Sequence, residues 1–219
     1  MKTYSRLPQA LVEGWVVTTE THPPLQQVGF HYHDVDEWLE VAKGDITFFS
    51  ISGQSWPLAV GDVFQIARGE VHRAEIGAGG VEYRMYLPVA MTGGFAQRLS
   101  DDELAMLRTN LEFPLREENT DGHAAGFFAE HLSDALVFCR ADATVVDKQT
   151  YLSAFVARGR TPSGTVAVLN RTDTGILLST VVTTGTGGPS PKSFTNVRLF
   201  VKEGGAWRCR LWLNYPSTG

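Results

Sequence analysis

From residue 26 to residue 89 the chain is cut into short pieces by glycine-bearing turns. Lys43-Gly44-Asp45, Ser52-Gly53-Gln54, Val60-Gly61-Asp62, Arg68-Gly69 and Gly77-Ala78-Gly79-Gly80 separate runs rich in β-branched and aromatic residues. The runs 27–33, 37–41, 46–51, 63–66, 71–76 and 81–87 each read as a strand. Many short strands at such spacing restrict this stretch to a sandwich or a closed barrel. Upstream, Leu11, Val12, Trp15, Val16 and Val17 suggest one or two further short strands, and His22-Pro23-Pro24 is a break.

Within that stretch lies His31-Tyr32-His33-Asp34-Val35-Asp36-Glu37, and His72 follows on a later strand. Side chains alternate along a strand, so His31 and His33 share a face. Glu37 is close enough in sequence to bring a carboxylate to the same point. Three imidazoles and a carboxylate suit a divalent transition metal (Fe, Mn, Ni, Co, Cu or Zn) and leave coordination positions open. Two plainer readings stand beside this one. The histidines are surface or core residues, or the site holds a metal that is structural or a sensor's cofactor. Tyr83, Arg84, Met85 and Tyr86 lie on the last strand of the stretch; one alternating pair lines any cavity and the other faces out. Tyr83, Arg84 and Tyr86 are the substrate-binding candidates here.

Residues 25–90 resemble the cupin family. Its first motif has the form G-x5-H-x-H-x3,4-E-x6-G, and His31, His33, Glu37 and Gly44 match it. Its second has the form G-x5-P-x-G-x2-H-x3-N, and Gly61, Gly69 and His72 match. Leu25, Ala67 and Ile76 depart from the pattern. None of the three is a ligand position in the family, so the departures touch the turns rather than the site. The resemblance implies a small β-barrel with His31, His33, Glu37 and His72 as metal ligands.

Residues 88–97 carry Gly93-Gly94 and no periodicity, and 91–99 read as a linker. Ser100-Asp101-Asp102-Glu103 is a capping-box pattern, and Leu104, Leu107 and Leu111 continue at helical spacing. Pro114 should end or kink that helix. A second helix is expected over 123–132 and a strand over 135–140. Asp147 should cap a third helix with Tyr151, Leu152, Phe155 and Val156 inward and Gly159 at its end. Strands at 165–170, 176–184, 193–202 and 207–214 complete an α+β pattern, the last two joined by a Glu203-Gly204-Gly205 hairpin turn.

The 127–138 helix-to-strand passage, Val146-Asp147-Lys148 and the closing strand pair resemble the NTF2-like superfamily, and within it the SnoaL-like and DUF4440-type proteins. The resemblance spans about residues 100–216 and implies a curved sheet around helices, with a cone-shaped pocket. Tyr151, Asn196, Arg198, Arg210 and Asn214 are the candidate pocket polars; the plainer reading makes them core and dimer surface. His123 and His131 fall on or before a helix. Asp147 is spent as a cap, which leaves this half without an obvious acid or base.

The expected architecture is thus two domains: an all-β cupin barrel over 1–90, the linker 91–99, and an α+β NTF2-like cone over 100–219. The 219 residues accommodate one large domain or two small ones. A net charge of -5 argues against non-specific nucleic-acid binding. No apolar run approaches the roughly 18 residues of a membrane span, and Met1 to Leu11 does not read as a signal peptide. Cys139 and Cys209 show no metal spacing and suit a reducing cytoplasm, with a disulfide between them left open. The expected partners are a small-molecule substrate or ligand and a second copy of the chain, with no nucleic acid and no membrane. The expected activity is metal-dependent oxygenation, or isomerase or lyase chemistry, on a small organic molecule. The alternatives are a non-catalytic ligand-binding or sensor protein, and acid–base isomerase, cyclase or dehydratase chemistry in the second pocket.

Overall fold

The computed structural model describes residues 1–9, 11, 15–88, 96–118, 120, 122–156, 162–184 and 192–216. Their contacts divide the chain into two units, Met1–Leu104 and Ala105–Gly219. Both are rich in β-sheet, and among the described residues no helix is long and apolar enough to cross a membrane.

The first unit is built on two long strands, β4 (Glu37–Ser50) and β7 (His72–Leu87). Each runs along the other and uses its free edge twice. β4 pairs β6 (Val63–Ile66) through its first residues and β5 (Ser55–Ala59) through its later ones. β7 pairs β3 (Gln27–His33) near its start and β2 (Val16–His22) near its end. β1 (Lys2–Tyr4) adds to β6. The sheet can serve both walls because β4 and β7 bend together, with register shifts at Val41/Lys43 and Gly44/Ile46. Gly44 (φ 74°) and Gly80 (φ 76°) face each other at the bend, and a Cβ on Gly44 would lie 1.9 Å from the Gly80 carbonyl oxygen. Only glycine fits there. Sequence breaks the two long strands into four pieces at this same bend.

Leu39, Ile46, Phe48, Phe64, Ile66 and Met85 belong to the main core of this unit. Trp38, Val63 and Tyr86 pack with Leu11 in a second cluster. The stretch read as linker ends in structure: β8 (Ala96–Arg98) pairs with β3, setting His31 opposite Arg98. Its Gly93-Gly94 lies outside the described residues. β5 was not legible because it contains Pro57, which is tolerated where a strand pairs on one side only.

The second unit is a six-stranded sheet in the order β10-β9-β14-β13-β12-β11. The strands are β9 (Leu132–Cys139), β10 (Val145–Val146), β11 (Pro162–Arg171), β12 (Ile176–Thr184), β13 (Lys192–Glu203) and β14 (Ala206–Pro216). All pairs are antiparallel except β9 with β14. The β13–β14 hairpin turns on Gly204 and Gly205, both with positive φ as a two-residue turn of this hand requires. Helix α1 (Asp101–Glu118) opens on the expected capping box: Glu103 Oε2 accepts from the Ser100 amide at 2.8 Å, and Ser100 Oγ accepts from the Glu103 amide at 3.3 Å. Pro114 does not end the helix, which runs on to Glu118. Phe113 and Pro114 are both buried, and that packing outweighs one missing amide. α2 is Ala124–His131, and α3 is Lys148–Ser153 with Asp147 capping it through the Thr150 amide at 2.7 Å. α3 is shorter than the apolar spacing suggests: Val156 is exposed, and Gly159 lies outside the described residues.

Phe113, Phe128, Phe138, Tyr151 and Trp212 form a ring cluster, with Phe138 stacked on Trp212 at 4.3 Å and Phe113 edge-on to it at 5.4 Å. Both cysteines are free thiols. Burial pushes the Cys209 thiol up to about 12, so it serves as a small apolar core group.

Candidate functional site

β3 carries His31 and His33, β7 begins on His72 and β4 begins on Glu37. The ladder sets His31 directly opposite His72. All four side chains are buried, Glu37 at 2% and His72 at 1% exposure. One ring nitrogen from each histidine falls within 4.8 Å of the others. His31 Nδ1 donates to the Gly29 carbonyl and His72 Nδ1 to the Glu70 carbonyl, both at 2.8 Å. A carbonyl only accepts, so both hydrogens sit on Nδ1 and both Nε2 lone pairs remain for a ligand. Backbone fixing of the outer nitrogen is a usual feature of metal-binding histidines. Glu37 Oε2 lies 2.6 Å from His33 Nδ1. Neither Glu37 Oε2 nor His72 Nε2 makes a hydrogen bond although both are buried. Glu37 Oε2 has the His33 ring beside it, whereas a buried imidazole nitrogen with no partner is costly. A divalent cation would compensate the His72 nitrogen, and the three-histidine donor set fits a metal of that kind; Glu37, the expected fourth ligand, is not among the residues that converge.

Burial holds the His72 imidazole well below its usual range, with His31 and His33 adding to the effect; burial also lowers His31. Both are neutral at pH 7, the form that binds metal. The sign for stability follows. The unfolded chain takes up these protons first, as pH falls below the ordinary histidine value of 6.5. Stability of the metal-free fold is then lost with acid, by up to about 1.4 kcal/mol per pH unit for each histidine. Urea melts of chelator-stripped protein between about pH 7.5 and pH 5.5 should show the loss, and His72→Gln should flatten it.

The histidines open into a cavity of about 630 Å³ whose walls include Val28, Ile46, Phe48, Ala74, Met85 and Leu87. Tyr83 lines it, as expected of one alternating pair. Arg84 and Tyr86 do not. Arg84 is exposed and pairs with Glu40 at 3.0 Å. Tyr86 packs with Trp38 and reaches the same carboxylate at 3.3 Å. Two further residues, Glu20 and His22, line it; the sequence marks Glu20 not at all and His22 only as a loop histidine that could point at a metal, whereas His22 ends strand β2. Their signal was the alternation of β2 against the last turn of β7.

In the second unit, Tyr151, Asn196 and Asn214 line a cavity of about 430 Å³ together with Glu117, Glu118 and Arg140. Tyr151 Oη donates to Glu117 Oε1 at 3.4 Å. Arg198 is not among the lining residues. It is wholly buried, donating to Asn110 Oδ1 at 2.9 Å and Asn196 Oδ1 at 3.2 Å. Its guanidinium lies over Trp212 at 4.4 Å and Phe113 at 4.8 Å. Arg210 is exposed. The register shifts between Leu199 and Phe200, where Phe200 pairs Cys209 and Leu199 pairs Leu211, so Arg210 is the bulged residue and leaves the alternation.

No family model matches the chain, and no curated protein matches it. Several solved structures are similar to parts of the chain. An NTF2-like protein from Cytophaga hutchinsonii is 16% identical, with 54% of this chain and 100% of that one covered and a TM-score of 0.44. A conserved protein with a double-stranded β-helix domain from Klebsiella pneumoniae is 20% identical over 39% of this chain and 76% of that one, with a TM-score of 0.34. The polyketide cyclase RemF of Streptomyces resistomycificus is 21% identical over 43% and 68%, with a TM-score of 0.34.

Proposed function

We propose that the first unit is a metal-dependent enzyme acting on a small organic molecule. The observation that carries this reading is the convergence of His31, His33 and His72, with the buried His72 Nε2 left without a hydrogen bond and Glu37 held beside His33. A bound Fe, Mn, Ni, Cu or Zn ion would supply Lewis acidity there, or a route to oxygenation if redox-active. The chain's own part is to hold His31 and His72 in one tautomer, to keep a carboxylate beside His33, and to wall the site with apolar side chains that exclude water. Chemistry in the second cavity has less support, because Asp147 is committed to a helix cap and Arg198 is sealed in the core. The test is a turnover screen on metal-replete protein: oxygen consumption for iron or copper, isomerase and lyase assays for zinc, nickel or manganese. Activity should vanish in His72→Ala and Glu37→Ala and persist in Asn196→Ala. Stoichiometric metal with no turnover of any compound would favour a sensor.

We also infer that the second unit pairs two copies of the chain. The sheet face opposite Trp212 carries Val137, Val181, Leu199, Leu211, Leu213 and Tyr215, of which Val137 is 47% and Tyr215 46% exposed. An apolar sheet face of this extent favours a partner of the same kind. Sedimentation should give a dimer that Val181→Lys shifts to monomer; a wild-type monomer at micromolar concentration would overturn it.

A further inference from the structure

The cavity that holds the histidines has a second polar group on the wall formed by β2 and β7. The ladder sets Glu20 opposite Tyr83 and His22 opposite Val81, so Glu20, His22 and Tyr83 lie on one stretch of wall. His22 Nδ1 is 3.1 Å from Gln26 Oε1, and His22 Nε2 is 3.1 Å from Tyr83 Oη. The two rings stack with centroids 5.7 Å apart. The glutamine oxygen only accepts, so Nδ1 carries a hydrogen, and the tautomer that this pairing selects leaves Nε2 to accept from the phenol. Tyr83 has then spent its hydrogen and offers a ligand only lone pairs. The Glu20 carboxylate, 3.6 Å from His22 Nε2, also only accepts. Burial, with Glu37 and Glu20 nearby, pushes the Tyr83 hydroxyl well above its usual range, so it stays neutral. Among the described residues that line the cavity there is no lysine or arginine.

We propose that this cavity, when free of metal, takes a mostly apolar, uncharged alcohol or phenol, whose hydroxyl donates to Tyr83 Oη or to Glu20, in preference to carboxylates and phosphates. The inference rests on the reading of this cavity as a small-molecule site. An apolar pocket with few polar groups selects by whether those groups are matched. A wall of acceptors leaves an anion with no donor to replace its lost water, and places it near Glu20 and Glu37.

The test uses the full chain stripped of metal by chelator, titrated by fluorescence with 2-naphthol, 2-naphthoate and 2-methoxynaphthalene. The naphthol should bind at least about tenfold tighter than the naphthoate and about fivefold tighter than the methyl ether, which has no hydrogen to donate. Tyr83→Phe and, independently, Glu20→Gln on the partly exposed strand β2 should each weaken naphthol binding several-fold and leave the ether unchanged. Equal or tighter binding of the naphthoate, no effect of both substitutions, or no binding of any of the three would overturn the inference. Metal content is measured separately on unstripped protein. A naphthol preference in a protein that never takes up metal would sink the metalloenzyme reading alone; bound metal without the preference would sink this inference alone.

Discussion

Replacing His72 by alanine should strip the protein of its divalent metal. Protein purified without chelators or a metal-affinity tag should carry close to one Fe, Mn, Ni, Cu or Zn ion per chain by elemental analysis, and the variant almost none. Outer partners of metal ligands alone are worth about 10–100-fold in affinity, so removing a ligand should cost more than about 100-fold, or roughly 3 kcal/mol. His72 is the most informative position. It is 1% exposed, its Nδ1 is held by the Glu70 carbonyl, and its Nε2 makes no hydrogen bond. Its imidazole therefore has no structural task on its inner side that alanine would disturb besides packing. His72→Gln keeps most of the volume and separates packing from ligation. A wild-type protein that holds no metal and takes none up on reconstitution would refute the site.

The second large effect is expected at Arg198. Arg198→Ala should lower stability by about 3–5 kcal/mol, the range for opening a large core cavity and breaking a buried polar arrangement. With total stabilities of roughly 5–15 kcal/mol, such a variant sits near the edge of unfolding. Asn110 Oδ1 would lose its donor, while Asn110 Nδ2 would still bond Thr180 at 3.1 Å. Asn196 Oδ1 would keep the Trp212 indole at 2.8 Å. The rings of Phe113 and Trp212 would face a void. Arg198→Met fills much of that void and removes the charge whose burial was costly, so it should lose about half as much or less. Thermal melts followed by near-ultraviolet circular dichroism, which reports the Trp212 ring cluster, check both. An unchanged melt of the alanine variant would return Arg198 to the candidate ligand contacts.

The histidine cluster is legible because it depends on two short-range rules: period two along a strand, and glycine turns at fixed offsets. His31 and His33 needed only the first, and Gly44 the second. What lay beyond was set by interruptions that change parity. Before the bend of β7 the even positions His72, Ala74 and Ile76 are buried, and after it Val81, Tyr83 and Met85 are. No count along the sequence tells how many residues the Gly77–Gly80 bend consumes, so the inward member among Tyr83 to Tyr86 stayed open. The bulge at Arg210 did the same in the second unit, taking one arginine of a seemingly uniform face out to solvent. Pro114 shows the opposite limit: a strong local rule yields where the proline and Phe113 beside it are buried. β8 carried no signal of its own because three residues pairing with β3 need no periodicity.

One strand, β7, carries both His72 and Tyr83, at opposite sides of its glycine bend. The bend therefore works as a ruler between the histidine cluster and the wall that carries Tyr83. A two-residue insertion there would lengthen the cavity while keeping both side chains inward, whereas a single residue would turn Tyr83 out. Changing the length of that one kink would resize the cavity while the histidines stay in place.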